Sequence, residues 1–593
     1  EVGNDWQRFV LVYQNKHEDI AAGASSINFT MGYAKQCVQI ADFQMVNCGT
    51  QLDTTKLECD SCGYISENGS VYRTKATDYY GRGDNALWRD EAFKRIEKNR
   101  VRDINVSVVD KNGNPVENAT VKAKMTKSEF NWGVQSSYNE LCADDGHEIF
   151  GKKIKEHFNM MNNGDYKYKE YDRDHLAKGI EYAYENDIRG RCHCFIWDYP
   201  YFLDPANRPD EWITDATTEQ EMTELYTKHA SRVLYNFGEY MDEIDVLSEP
   251  LCNHYFQDKY GREFVAEVFR RVRLMAPDSL LYINEGWIEG LEDRWHHTRI
   301  FKDEILKEYQ DIGVDFDAIG FQGHYTKSTY PQMLYNQISY VMDGIDYASI
   351  TEYDYSASDL EGDEKYSIEA DFLRDMIIMA YSHPQMVGFN IWTLYRWETS
   401  VFYDEYWNEK PALQYWRELV EDAWFTQTEG KTNANGTAAL RGHRGDYEIT
   451  IDVGGTIGKT TLVVSDTGEN TVTAVLQDGE IILDSSDAVE KRKITSSYPV
   501  INLNEDAESA EKYKSIYAVT DNDIAVNDAV ITGIPKVKLV SLCDEDKTGD
   551  VLYAIYEDKQ LAGVFVKNDV TVPAGGETEL SFDNIHINVS DGT

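Results

Sequence analysis

The 593-residue sequence lacks several features that would place it quickly in a class. No run of 18 apolar residues occurs, so we predict no membrane-spanning helix. The opening stretch, EVGNDWQRFV, is polar and has no signal-peptide pattern, as we expect of a mature secreted form. Basic residues are few: 58 Lys and Arg stand against 104 Asp and Glu, for a net charge of −46. Such a charge repels phosphate backbones, and no basic stripe offsets it, so we expect no nucleic-acid partner.

Cysteine is also scarce, with 9 residues, and only Cys59 and Cys62 form a C-x-x-C pair. No second pair stands at zinc-site spacing, so we expect no structural zinc. Cys37, Cys48, Cys59 and Cys62 lie near one another in the sequence, which favours one or two disulfides there. Six N-x-S/T sequons point the same way, so we expect a secreted or cell-surface glycoprotein. The sequon asparagines are Asn28, Asn68, Asn105, Asn118, Asn435 and Asn588.

Length and periodicity predict several domains rather than one core. The N-terminal part alternates polar and apolar residues as a β-sandwich does, and both a carbohydrate-binding module and a structural cap are open interpretations. The predicted domains are a β-sandwich with a connecting helix (1–100, the helix over 88–100), a β-hairpin around a Gly-Asn-Pro turn (101–129), a strand–helix repeat region (130–427), a small β-domain (428–490) and an immunoglobulin-like sandwich (491–593).

The central region carries eight strand-like runs separated by amphipathic helical stretches. Eight such repeats over about 300 residues are typical of a closed parallel (β/α)8 barrel, the TIM barrel. A doubly wound open sheet is the alternative, but it usually has fewer strands and a Gly-rich phosphate loop, and no G-x-G-x-x-G or Walker sequence follows any strand. The predicted strands are 130–137, 158–163, 188–197, 244–249, 280–285, 316–324, 348–354 and 387–392.

Polar and aromatic residues collect at the carboxyl ends of these strands, where a barrel of this type places its catalytic groups. Glu249 and Glu352 end strands four and seven, which lie on opposite sides of the barrel mouth. Glycoside hydrolysis needs two facing carboxyls of this kind, one to protonate the leaving oxygen and one to attack or to activate water. The strand-end set is Gln135, His193, Trp197, Asp198, Glu249, Asn284, Glu285, Gln322, His324, Glu352, Asp354 and Trp392.

Two other chemistries could use parts of this set. His193, His324, Glu249 and Glu352 could ligate a metal, but no H-x-x-x-H or similar local spacing supports that. A Ser–His–Asp hydrolase would need a nucleophile elbow, and no G-x-S-x-G occurs; Ser248 lies in a strand end instead. We therefore expect no metal and no cofactor.

Five ordered motifs resemble those of the endo-β-1,4-xylanases of glycoside hydrolase family 10. EIDVLSEP resembles the family's W-D-V-V-N-E-A/P and ITEYD resembles I-T-E-L-D; RCHCFIWD, LYINE and GFQGH resemble R-G-H-T-L-V-W-H, L-Y-I-N-D and G-x-Q-x-H. The resemblance covers about residues 130–425. It implies that Glu249 is the acid/base and Glu352 the nucleophile. It also implies that His324 hydrogen-bonds the nucleophile and that Asp354 orients the imidazole.

The departures from the family pattern fall on the sugar-binding positions. Ser248 replaces an Asn that in the family bonds the 2-hydroxyl at the cleaved bond, and Asp198 replaces a second His. The family's E-N-x-x-K-W becomes NNGDYKYK, in which Lys167 and Tyr168 match only with a one-residue shift. The substrate-binding residues that the resemblance implies are His193, Trp197, Asp198, Ser248, Asn284, Gln322, Lys167, Trp392 and Trp397.

Two functions from different classes follow from this pattern. The first is a secreted, retaining glycoside hydrolase that cleaves a xylan-like β-1,4-linked polysaccharide with two glutamates. The second is a catalytically impaired extracellular structural or glycan-binding protein on the same barrel. The retained Glu249, Glu352, His324 and Asp354 favour the enzyme, and the altered sugar-binding positions favour the second function.

Overall fold

The computed structural model describes two compact units, Glu1–Lys493 and Ile494–Thr593, which we treat separately. The residues that the structure describes are 9–13, 61–65, 71–73, 79, 81–83, 86–137, 139–143, 146–164, 173–198, 218–286, 288–290, 295–325, 329–357, 360, 362–486, 488–489, 516–520, 523–527, 530–534, 536–541, 546–557, 560–582 and 585–588.

Eight parallel strands form the centre of the first unit. Each strand pairs with the next along the chain, and the eighth pairs with the first, so the sheet closes on itself. All eight predicted strands are present, and the (β/α)8 barrel is confirmed against the open-sheet alternative. The strands are β1 (Asn131–Ser136), β2 (Met160–Asn163), β3 (Arg189–Ile196), β4 (Met241–Ser248), β5 (Leu280–Glu285), β6 (Ala318–Phe321), β7 (Tyr347–Tyr355) and β8 (Met386–Ile391).

The helices between the strands bury one apolar face against the barrel. In the helix Glu263–Met275, for example, Phe264, Val268 and Val272 recur at helical spacing and are all buried. The α-helices of this region are His147–His157, Arg173–Glu185, Glu219–Phe237, Tyr255–Tyr260, Glu263–Met275, Trp295–Ile300, Lys307–Asp311, Pro331–Val341, Gly362–Ser382 and Ala412–Trp416. Segments of π and 3₁₀ helix cover Asn139–Ala143, Gly238–Tyr240, Phe301–Leu306 and Arg417–Ala423.

The predicted connecting helix is confirmed as Leu87–Arg100. Trp88, Ala92 and Ile96 are buried along this helix, whereas Phe93 is exposed. Before this helix, the structure describes the strands Phe9–Tyr13, Ser61–Ile65 and Val71–Arg73, which form one three-stranded sheet. Most residues of the predicted N-terminal sandwich, including Asn28, Asn68, Cys37, Cys48 and Cys59, lie outside the described residues.

The prediction of a hairpin over 101–129 is wrong. Its two runs, Val101–Asp110 and Thr120–Ser128, lie in different four-stranded sheets, and only a bridge between Val109 and Pro115 joins the segment locally. Alternation of apolar residues shows which face of a strand is buried, but it does not show which strand lies beside it. The sheets are Gln427–Lys431, Thr120–Ser128, Gly445–Val453 and Thr456–Val464 in one, and Thr437–His443, Val101–Asp110, Thr471–Gln477 and Glu480–Ser485 in the other.

These two sheets share one hydrophobic core, although their strands come from both sides of the barrel in the sequence. Val106 and Val121 from before the barrel pack in the same cluster as Ile449, Leu462 and Val472 from after it. The segments predicted as a linker hairpin and as a separate small β-domain therefore build one folded part together. Among the sequon residues of this part, Asn105, Asn118 and Asn435 are exposed.

The second unit is built of antiparallel strands in its described part. Three small sheets occur there, and Val537, Leu539, Val572 and Phe582 form a buried cluster. The immunoglobulin-like topology stays a prediction. Across the described helices of the chain, none is long and apolar enough to cross a bilayer. The strands are Ile516–Thr520, Asp523–Asn527, Val530–Ile534, Lys536–Ser541, Lys547–Glu557, Gln560–Val572, Glu577–Ser581 and Ile585–Asn588, the last of which contains the sequon residue Asn588.

Candidate active site

Glu249 stands directly after β4 in a backbone conformation that few side chains adopt. Its φ is 57°, in the left-handed region, and its amide donates to the carbonyl oxygen of Asn284 at 2.7 Å. The side-chain carboxylate accepts three hydrogen bonds, from Nε1 of Trp197 at 2.9 Å, from Nε2 of Gln322 at 2.8 Å and from Nδ2 of Asn253 at 2.5 Å. A strained backbone whose side chain is held by several donors is typical of a functional residue.

Glu352 lies on β7, and its side chain is buried in the barrel mouth. One carboxylate oxygen, Oε1, accepts from Nδ2 of Asn284 at 2.7 Å, and the other, Oε2, lies 3.1 Å from Nε2 of His324. The Glu352 amide donates to the carbonyl oxygen of Gln322 at 2.7 Å. Asn284 at the end of β5 and His324 after β6 thus hold the two oxygens of this carboxylate.

His324 lies between two carboxylates. A short strand, His324–Tyr325, pairs with the end of β7 so that His324 stands opposite Asp354, and Nδ1 lies 2.8 Å from Oδ1 of Asp354. Burial alone would lower the pKa of His324, but the hydrogen bonds and negative charges of Asp354 and Glu352 raise it to about 10. The imidazole is therefore positively charged at neutral pH and holds its charge beside Glu352.

Two residues contact both glutamates, and they do so in opposite ways. The backbone oxygen of Asn284 accepts from the Glu249 amide, and its side-chain amide donates to the Glu352 carboxylate. The side-chain amide of Gln322 donates to the Glu249 carboxylate, and its backbone oxygen accepts from the Glu352 amide. This exchange links the two carboxyls at the mouth through the same two residues.

A buried charged group lies beneath the two glutamates, and the sequence reasoning missed most of it. Arg191 on β3 forms ion pairs with Glu243 and Asp245 on β4, and all three side chains are fully buried. Nδ1 of His193 lies 2.8 Å from Oδ2 of Asp245, and Asn284 also reaches Asp245 at 3.4 Å. The signal in the sequence is the spacing by two of Arg191 and His193 on β3 and of Glu243 and Asp245 on β4.

Burial and charge act against each other in this group. Burial would lower the pKa of Arg191, but Asp245 and Glu243 raise it well above the usual range. Burial raises the pKa of Glu243, and Arg191 and a hydrogen bond from Asn131 oppose that change. A buried charge of this kind is tolerated only because each member has a partner. The group therefore ties β3 to β4 inside the barrel.

Asp198 has a different environment from the sugar-binding position that the resemblance implied. Its carboxylate is buried and accepts from the hydroxyl of Tyr226 at 2.8 Å and from the amide of Phe256 at 3.1 Å. Burial raises its pKa to about 6, although these hydrogen bonds oppose the change. Asp198 thus fastens the segment after β4 to β3.

The remaining predicted residues are divided between the mouth and the surface. The ring of Trp392 is half-buried and lies edge-on to His193 at 5.6 Å and to His324 at 5.8 Å between centroids. Ser248 is buried, and its hydroxyl has no hydrogen-bond partner within the described residues. Trp397 is 63% exposed. Lys167 and Tyr168 lie outside the described residues.

In the described part of the chain, the side chains are not arranged as a metal site or a Ser–His–Asp hydrolase requires. No three His, Cys, Asp or Glu side chains there are arranged as metal ligands. The Ser248 hydroxyl does not contact a histidine among these residues, as an activated serine nucleophile would. Gln135 on β1 donates to the carbonyl oxygen of Ser136 at 3.2 Å and contacts neither glutamate.

Comparison with known proteins points to one family. The family model described as Glycosyl hydrolase family 10 matches residues 108–419, more than half of the chain. The chain is 25% identical over 386 residues to an anti-sigma-I factor, RsgI6, of Acetivibrio thermocellus, covering 62% of this chain and 47% of that protein. It is 23% identical over 383 residues to endo-1,4-beta-xylanase 2 of Arabidopsis thaliana, covering 60% and 33%.

A solved structure, xylanase 10B from Thermotoga petrophila in complex with xylobiose, matches with a TM-score of 0.43 and 20% identity. That match covers 50% of this chain and 95% of the other. The chain spans about half or less of the length of the two curated relatives named above.

Proposed function

The chain belongs to glycosyl hydrolase family 10, and on that premise we propose that it hydrolyses a xylan-like β-1,4-linked polysaccharide with retention of anomeric configuration. The observation that carries the proposal is the pair Glu249 and Glu352, joined through Asn284 and Gln322 at the carboxyl ends of β4 and β7. Endo-1,4-beta-xylanases among the relatives support the substrate class.

In the first half of the reaction, the carboxylate of Glu352 attacks the anomeric carbon. The bond from that carbon to the leaving sugar oxygen breaks, and Glu249 donates its proton to that oxygen. A glycosyl ester on Glu352 results. The positive charge of His324 at 3.1 Å keeps Glu352 ionised for the attack, and Asp354 holds the imidazole in place.

In the second half, Glu249 acts as a base. Its carboxylate takes a proton from water, the water oxygen attacks the anomeric carbon, and the bond to Glu352 breaks. Both carboxylates return to their starting protonation states. The hydrogen bonds from Trp197 and Gln322 keep the Glu249 side chain in one position through both halves.

The sugar-binding residues belong to the proposal as well. His193 lies 3.8 Å from Glu352, and Trp392 packs against His193 and His324; both are proposed to contact the sugar whose bond is cleaved. The exposed ring of Trp397 offers a stacking surface further out. Ser248 and Lys167 are proposed to contribute hydrogen bonds. The buried hydroxyl of Ser248, without a partner among the described residues, supports its assignment.

The location of the enzyme outside the cell and the role of its N-terminal region are also part of the proposal. The sequons and the cysteines near the N-terminus support a secreted glycoprotein with disulfides. The N-terminal region is proposed to bind carbohydrate and to raise the local concentration of substrate.

The test is the release of reducing ends from a panel of β-1,4 and β-1,3 glycans by the full chain. We expect release from β-1,4-xylan that disappears in Glu352→Gln. Glu418→Gln is the control, because it removes an exposed carboxylate away from the mouth. Equal release by the wild type and Glu352→Gln, or release from none of the glycans, would overturn the proposal.

A further inference from the structure

The turn that follows Glu249 is fastened to the barrel at several points. Its amides at Cys252 and Asn253 donate to the carbonyl oxygen of Glu249 at 3.1 and 2.8 Å. The amide of Leu251 donates to the buried carboxylate of Glu285 on β5 at 2.8 Å. Beyond the turn, the amide of Phe256 is held by Asp198. The chain is thus folded back so that residue 253 returns to the side chain of residue 249.

Asn253 uses this position to contact the acid/base. The residue is buried, and its side-chain Nδ2 donates to Oε2 of Glu249 at 2.5 Å. Nε1 of Trp197 donates to the same oxygen, while Nε2 of Gln322 donates to Oε1. Within the described residues, every hydrogen bond to this carboxylate comes from an N–H group that has no proton to give up.

Donors of this type stabilise one protonation state of a carboxyl more than the other. A hydrogen bond from an amide or indole N–H stabilises an ionised carboxylate and gives much less to a protonated one. Glu249 must carry a proton in the first half of the reaction and lose it in the second. Each N–H donor therefore favours the second half at the cost of the first, and the number of donors sets the balance.

We propose that Asn253 is a positioning residue that stabilises the ionised form of Glu249 and so lowers the upper pH limit of the reaction. This inference rests on the proposed role of Glu249. Among the described residues, the hydrogen bonds of Asn253 go to Glu249 and not to Glu352, so it acts through Glu249.

Other ionisable groups surround the turn, and they define what a variant must leave unchanged. Those on the neighbouring elements are Asp198, Glu285, His324 and Glu352, and those on the continuation of the turn are His254 and Asp258, which pair at 2.7 Å. Behind the turn, Arg262, Glu304 and Glu308 line a cavity with Pro250 and Leu251. All of them are the same in the wild type and in an Asn253 variant, so the difference isolates the one donor.

The experiment measures kcat/KM against pH for the full chain on a xylo-oligosaccharide with an unactivated leaving group. In Asn253→Ala we expect the basic limb to move to higher pH by about one to two units, the effect of one hydrogen bond to a charged group. In Asn253→Asp, which has the same shape but places a second negative charge beside Glu249, we expect a larger move in the same direction. Asn186→Ala is the control, because it removes a side-chain amide that only bonds the Tyr182 carbonyl.

An unchanged basic limb in a folded Asn253→Asp protein would overturn the inference and leave Asn253 as a turn residue only. If Asn253→Ala does not fold, the isosteric Asp variant carries the test. A second readout does not need activity: the ¹³C carboxyl titration of glutamate-labelled protein, with the Glu249 signal assigned by Glu249→Gln. A wild type without activity but with a titration that Asn253→Asp shifts would refute the proposed function and keep this inference. An unshifted signal would refute the inference alone.

Discussion

Glu249 and Glu352 are held by the same two residues, and each of these residues uses its backbone for one glutamate and its side chain for the other. A displacement of β5 or β6 would therefore move both carboxyls together. Catalysis by two groups on opposite sides of one bond requires such a fixed relationship, because misplacement by 1 Å costs about 10²-fold in rate. The predictions below follow from this geometry and from the charges around it.

Removing the proposed acid/base, Glu249, should slow the hydrolysis of some substrates more than that of others. In Glu249→Ala we expect kcat/KM on unactivated xylo-oligosaccharides to fall about 10²- to 10⁴-fold, because the leaving oxygen is no longer protonated. An aryl xylobioside with a very acidic phenol needs no such proton and should lose far less in the first step. Added azide should then release a β-glycosyl azide from the Glu352 ester, which chromatography detects. Equal losses on both substrates with no azide product would show that Glu249 is not the acid/base.

The charge on His324 depends on its two carboxylate neighbours. Because its pKa is raised to about 10, the imidazole should show no titration step through neutral pH in a histidine NMR experiment. In Asp354→Asn the pKa should fall, since one of the two negative charges that raise it is gone. The same variant should lose activity as the pH rises through the new, lower value. A His324 signal that titrates near its ordinary value in the wild type would contradict the assignment.

Asp198 should make the fold less stable as the pH rises. Its pKa is raised to about 6 in the folded protein, so the folded state holds a proton that the unfolded chain has lost between about pH 4 and 6. The stability that this proton gives is complete below the unfolded value and is lost as the pH passes about 6, by an amount on the order of 2 to 3 kcal/mol at most.

Asp198→Asn removes this dependence. The difference in unfolding free energy between the wild type and the variant should therefore decrease from about pH 4 to about pH 7, measured by urea unfolding at each pH. The lost hydrogen bond adds a constant offset that does not change with pH. A difference that stays flat or grows over this range would show that Asp198 does not hold its proton when folded.

The two sheets whose strands flank the barrel in the sequence predict the effect of truncation. A chain ending at Phe425 would leave Val106 and Val121 without the strands that cover them, so we expect it to be insoluble or to lose its near-UV circular dichroism. A chain ending at Lys493 keeps both sheets and should stay soluble and folded. If the shorter chain is as stable as the longer one, the strands before the barrel do not depend on those after it.

The fold of the barrel and its central glutamates could be predicted because their signals are local. Each barrel strand is a short apolar run followed by a polar residue, and Glu249 and Glu352 stand at two such ends. The pairing of Val101–Asp110 and Thr120–Ser128 could not be predicted, because their partners lie more than 300 residues away. The Gly-Asn-Pro turn between two alternating runs predicted a hairpin, but the two runs lie in different sheets that share one core.

At several positions of the site, the contacts of the side chain could not be predicted from the sequence. Asp198 stands at a position that suggested a sugar contact, yet Tyr226 and the Phe256 amide take up its carboxylate. Asn253 has no motif of its own, and its role depends on a turn that brings it back four residues. Both effects come from tertiary contacts, which cannot be predicted from the alternation of polar and apolar residues or from the residues at strand ends.

The most direct test is the anomeric form of the first product. Proton NMR spectra recorded in the first minutes after full-length protein is added to a xylo-oligosaccharide distinguish the two anomers before they interconvert. A double displacement through Glu352 predicts that the β-anomer appears first and that the α-anomer follows by mutarotation. First release of the α-anomer would mean that Glu352 does not form a glycosyl ester, and an absence of any new reducing end would mean that this pair of glutamates does not hydrolyse the substrate.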